Sequence, residues 1–163
     1  LFLARCPFTA DDLSSDEHNL YKTTVKDHFE NSYLNLVIET HLNADQSNGV
    51  FLTEKTFKPI CLRMPFMIVG TRGSLAYLRS YGFKTFGHVI DESYDLIDNA
   101  QDRLNRLIQV VTDLCSQDLD SFMLQCTDVC KYNQQRLVEF NREQRQQLPH
   151  SLEQYLNDRL GIS

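Results

Sequence analysis

Short apolar runs alternate with helix-type segments between Tyr33 and Ile90, and no other feature of the chain constrains its fold as much. Tyr33 to Thr40 (Tyr-Leu-Asn-Leu-Val-Ile-Glu-Thr) has the Leu, Val and Ile of a buried strand and closes on a carboxylate, Glu39. After a polar loop carrying Asn48-Gly49, a helix is expected from Thr53, which caps its start, with Glu54 at the positive end of the dipole. Pro59 lies inside that helix and removes one backbone donor, so a bend or a free Lys55 carbonyl is expected. Pro65 to Val69 reads as a second buried strand, Gly70 to Ser74 as a tight turn, Leu75 to Tyr81 as a helix ended by Gly82, and Lys84 to Ile90 as a weaker third strand. Strand, helix, strand, helix, strand is the signature of a parallel sheet with right-handed helical crossovers.

Past Asp95 the texture changes. Leu96, Ile97, Leu104, Leu107, Ile108, Val111 and Leu114 recur at three- and four-residue spacing, and Leu119 to Phe140 continues it. Pro149 is expected to interrupt, with a last short helix over Leu152 to Leu160. The expected fold is α/β: a Rossmann-like parallel sheet with helical crossovers, followed by a helical C-terminal region. Its parts are a lead-in with a short helix (1–32, polar and acidic over 9–19), a Rossmann-like core (33–95) and the helical region (96–163).

Charge narrows the chemistry. Sixteen Lys and Arg against 22 Asp and Glu give a net charge of −6, which disfavours general binding to nucleic acid or to an anionic membrane. Six of the basic residues (Lys55, Lys58, Arg63, Arg72, Arg79, Lys84) fall between positions 55 and 84, where there is no Asp or Glu. An island of +6 thus sits in a body of −12, and it suits either an anionic small molecule or a solvated basic face. No run approaches the roughly 20 apolar residues that span a bilayer. Five cysteines without a CxxC fit a reducing, cytoplasmic setting, with Cys126 and Cys130 on one helix face as core thiols.

Ligands of a parallel sheet bind beyond the carboxyl ends of its strands. Glu39, the Thr53-Glu54-Lys55 helix start and the Gly70 to Ser74 turn are all assigned to that edge. Backbone N–H groups at a helix start, with Lys55, Lys58 and Arg72 nearby, suit a phosphate or diphosphate, and Glu39 or Glu54 suits sugar hydroxyls. The same residues also read as plain βα-turn and first-turn chemistry. There is neither a GxGxxG nor a P-loop. Asp91-Glu92-Ser93-Tyr94-Asp95 reads as a capping cluster, with Asp95 as N-cap of the long helix, or as a divalent-metal site. The five histidines are scattered and Ser74 lacks a nucleophile-elbow context, so neither is assigned to catalysis.

Asn35-Leu-Val-Ile-Glu39-Thr, then Phe51-Leu-Thr-Glu-Lys55, a helix, and Pro65-Phe-Met-Ile-Val-Gly70 resemble the donor-binding motif of α1,3-fucosyltransferase-type glycosyltransferases. Thr40 stands where that motif has Asn. The resemblance implies the C-terminal domain of a two-domain GT-B enzyme. Glu39 and Glu54 would contact sugar or ribose and Lys55 the diphosphate of a nucleotide-sugar donor, with no other cofactor. The catalytic base would lie in an N-terminal acceptor domain or partner chain, which makes this chain the expected donor part of a larger protein. The alternative is a non-catalytic α/β assembly module whose helical tail packs on a partner.

Overall fold

The structure is a computed structural model and describes Phe29, residues 31–43 and residues 49–160, with side chains as far as residue 147. The lead-in over 9–19 and all of the expected helix over Leu20 to Asn31 except Phe29 and Asn31 lie outside the described residues. Two strands form, β1 (Asn35–Ile38) and β2 (Phe66–Val69), paired in parallel with Asn35 opposite Phe66 and Ile38 opposite Val69. Helix α1 (Glu54–Cys61) connects them, and α2 (Ser74–Ser80) follows β2. The strand, helix, strand, helix order is therefore present.

Local chemistry explains each boundary. The Thr53 hydroxyl accepts from the Lys55 N–H at 3.3 Å and starts α1. Pro59 sits inside this helix with Thr56 and Ile60, all buried. Its carbonyl accepts from the Met64 N–H at 2.8 Å, across a turn in which Arg63 takes φ 56°. Gly73 precedes α2 at φ 83° and Gly82 follows it at φ 82°, left-handed positions where a side chain is strained.

The third strand does not form. Phe86 carbonyl accepts from both Val89 and Ile90 N–H groups, at 2.9 and 2.8 Å, so residues 86–90 close into a turn. Phe86 and Ile90, four apart, are buried together by a helical turn as well as by a strand, and that ambiguity misleads the pattern. The chain goes on instead into a 3-10 helix (Glu92–Leu96) whose Tyr94 is buried in the core, and burial pushes its phenol well above the usual value.

Asp95 is not the N-cap of the helix that follows. Asn99 caps α3 (Ala100–Cys115), accepting from the Gln101 and Asp102 N–H groups, while Asp95 turns back toward α2. Helix α4 runs unbroken over Leu119–Leu160, so Pro149 does not interrupt it. One proline forfeits one ladder bond, and neighbouring turns carry the helix past it. Leu107, Leu114, Phe122, Cys126 and Cys130 face the core as the spacing requires, while Val110 is buried where the spacing points to Val111, which is only partly buried. Leu96 and Ile108 do not: they are 66% and 54% exposed. Among the described residues no helix is long and apolar enough to cross a membrane.

Helix α4 is the brace of the assembly. Phe140 stacks on Phe57 of α1 and meets Phe83 and Tyr81 edge-on, with centroids 5.2 to 6.0 Å apart. The buried Asn133 amide accepts from the Lys84 N–H at 2.8 Å and donates to the Lys84 carbonyl at 2.9 Å. Asn133→Ala leaves both main-chain groups without that partner and is expected to cost about 1 to 3 kcal/mol in urea unfolding. Leu124→Ala, at an exposed site of the same helix, is expected to stay within about 0.5 kcal/mol.

Candidate functional site at the carboxyl edge

Glu39 is the hinge of this edge. Its N–H extends the β1 ladder to the Val69 carbonyl at 2.9 Å, and its carboxylate is only 4% exposed. One carboxylate oxygen accepts from the Thr53 N–H at 3.0 Å and the Thr56 hydroxyl at 2.6 Å, the other from the Thr53 hydroxyl at 2.7 Å. A buried carboxylate needs such donors to offset its lost hydration. These three bonds fasten the start of α1 to the end of β1.

The β2 end closes against the same point. A Cβ on Gly70 would meet Ser74 Oγ at 2.9 Å, Ile68 Cγ2 at 3.3 Å and Glu39 Cβ at 3.5 Å, so the close approach requires glycine. Ser74 Oγ donates to the Thr71 carbonyl at 2.7 Å. Thus Glu39, Thr53 and the Gly70 to Ser74 turn, from three separate segments, meet at one edge.

The six expected site residues divide on inspection. Glu39 and Thr53 are bonded to one another and serve the framework. Glu54 and Lys55 are exposed at the start of α1. Glu54 lines a groove between α1 and α4 of about 380 Å³, with Phe57, Lys58, Cys61 and Phe140. Lys55 lines a different groove of about 300 Å³, along β1, and Lys58 borders both. Arg72 lines neither groove and pairs with Asp98.

The basic island is largely spent in the same way. Arg63 donates to the Gln134 side chain, Arg79 pairs with Glu92 at 3.0 Å, and the Lys84 ammonium lies 4.1 Å from the centre of the Tyr132 ring. Lys55 and Lys58 have no acidic or aromatic partner for their ammonium groups among the described residues.

The acidic run also disperses. Asp91 pairs with Arg106, Glu92 with Arg79, and Asp95 accepts the Leu75 N–H on both oxygens at 3.2 Å. The Ser93 N–H, with the Ser93 hydroxyl and Arg106, holds the Asp91 carboxyl below its usual range. Among the described residues no group of three or more His, Cys, Asp or Glu is placed to hold a metal ion.

Arg103 is the residue that the sequence reading missed. It is buried at this edge and donates to the carbonyls of Gly70 (3.0 Å), Ile97 (2.6 Å), Asp98 (3.0 Å) and Leu42. Burial pushes its guanidinium below the usual value, against the pull of Asp95 and Asp98. The signal was available: Arg103, Leu107, Val110 and Leu114 form one core stripe, and a cation in such a stripe must be bonded. Comparison with protein-family models, curated proteins and solved structures finds no match to this chain.

Burial pushes the Asp95 carboxyl above its usual range, although the Leu75, Ala76 and Ser74 N–H groups and Arg79 pull it down. A raised folded value means stability that is complete below the unfolded value, about 3.9, and is lost as pH rises through the folded one. Asp95→Asn does not titrate. Its stability relative to wild type is therefore expected to rise from pH 4 toward neutrality in urea unfolding, and a constant difference would refute this.

Proposed function

We propose that the chain is the nucleotide-sugar-binding (donor) domain of a glycosyltransferase-like protein, with a Rossmann-like core of the α1,3-fucosyltransferase kind. The single observation that carries this reading is the carboxyl edge. Glu39 fastens the start of α1 beside the Gly70 turn, at the end of a parallel strand pair. Ligands of parallel sheets bind at such an edge, where the start of α1 presents the exposed Glu54 and Lys55.

Roles follow from what each residue has left to give. Lys55, exposed one residue into α1 and without an acidic partner among the described residues, takes the diphosphate. Glu54 beside it accepts from ribose or sugar hydroxyls. Glu39 and Thr53 act as positioning residues, because their polar atoms already hold the helix. Lys58 contributes field rather than contact, and Arg72, paired with Asp98, stands apart from the site. Catalysis requires an acceptor half, supplied by an N-terminal domain or a partner chain. Cys61 and Cys115 are exposed free thiols, which suits a reducing, cytoplasmic setting.

A second reading, an assembly module without donor binding, is favoured by the uncovered face of β1, where Leu36 and Ile38 are exposed. Titration calorimetry with GDP and UDP separates the two. In the donor reading one nucleotide binds, and Lys55→Ala weakens it roughly 10- to 150-fold through loss of a charge-assisted bond of about 1.5 to 3 kcal/mol, with little change in folding. Failure of both nucleotides to bind at millimolar concentration and low salt would overturn the donor reading and leave the module.

A further inference from the structure

Among the described residues no strand pairs with the outer side of β1. Asn35 and Glu39 direct their N–H groups to β2. By the two-residue period of a strand, the N–H and C=O groups of Leu36 and Ile38 point the other way. Their side chains are 43% and 64% exposed. Parallel sheets are normally covered on both faces, and an open edge is a template for another strand. The groove of about 300 Å³ along β1 is lined by Phe29, Leu36, Val37, Ile38, Lys55 and Lys58.

Two observations select the occupant. Phe29 lines the groove, and 28 residues precede it in the chain. Within them, residues 9–19 carry Asp11, Asp12, Asp16 and Glu17 and no Lys or Arg, while the groove carries two lysines with no acidic partner among the described residues. A second copy fits less well, since two β1 edges paired about a twofold axis bring four lysines to one seam. We propose that the groove along the outer edge of β1 is the docking site of the chain's own residues 1–28. Main-chain hydrogen bonds to Leu36 and Ile38 give the contact its strength, and carboxylates opposite Lys55 and Lys58 give it register. This surface shares Lys55 and Lys58 with the donor reading, so a segment seated there competes with nucleotide for them, while its main-chain contact to Leu36 and Ile38 does not depend on that reading.

Amide hydrogen exchange by NMR on the full chain tests the proposal, because the Asn35 and Glu39 amides, bonded to β2, serve as internal controls. The comparison is with a full-length variant carrying Asp11→Asn, Asp12→Asn, Asp16→Asn and Glu17→Gln, and with Lys58→Glu. The expected result is protection of the Leu36 and Ile38 amides at every protein concentration, reduced at least about tenfold in both variants while the controls hold, since the lost pairing is worth on the order of 1.4 kcal/mol. Free exchange of Leu36 and Ile38 in wild type would show an empty groove and overturn the proposal. Protection that grows with concentration would assign the edge to a second copy, and protection unchanged in the variants would exclude the acidic segment; either result overturns it too.

Discussion

One buried carboxylate organises the described part of this chain. Glu39 ends β1, and its three hydrogen bonds to Thr53 and Thr56 decide where α1 begins. Bonds of this kind, with an ionised partner, contribute about 1.5 to 3 kcal/mol each, and losing the acceptor strands donors in a dry place. The position of α1 in turn sets Phe57 against Phe83 and Phe140, and so the seat of α4. Glu54 and Lys55 are presented outward because Thr53 and Thr56 are held inward.

Six of the seven buried polar residues among those described, Glu39, Thr56, Thr71, Ser74, Asp95 and Arg103, belong to the carboxyl edge, and only Asn133 lies elsewhere. The edge is therefore a bonded polar framework rather than an extension of the apolar core. Arg103 gathers carbonyls from both strand ends and from the turn before α3, and Asp95 caps α2 from a distant segment. Buried polar groups at this density are costly unless all are partnered, and no buried side-chain N or O among the described residues lacks a bond.

The apolar runs and the Thr53 cap made β1, α1, β2 and α2 legible, because each depends on neighbours in sequence. What the sequence hid depends on partners far along the chain. Asp95 reads as a helix cap and is one, but of α2, about twenty residues back. Phe86 and Ile90 fit a strand and a turn equally, and only the packing of Phe86 on Phe66, with centroids 5.2 Å apart, chooses. Glu39 reads as an open ligand, whereas two threonines of α1 claim its oxygens first. Lys55 and Arg72 share an island of charge in sequence, yet Asp98 removes Arg72 from it.

A double-mutant cycle on the Glu39 carboxylate and the Thr56 hydroxyl measures the central interaction most directly. Unfolding free energies of wild type, Glu39→Gln, Thr56→Val and the double variant give the coupling between the two groups. A latch of the kind described predicts a coupling of about 1.5 to 3 kcal/mol. Additivity within about 0.3 kcal/mol would mean that the 2.6 Å contact does not hold α1 in place.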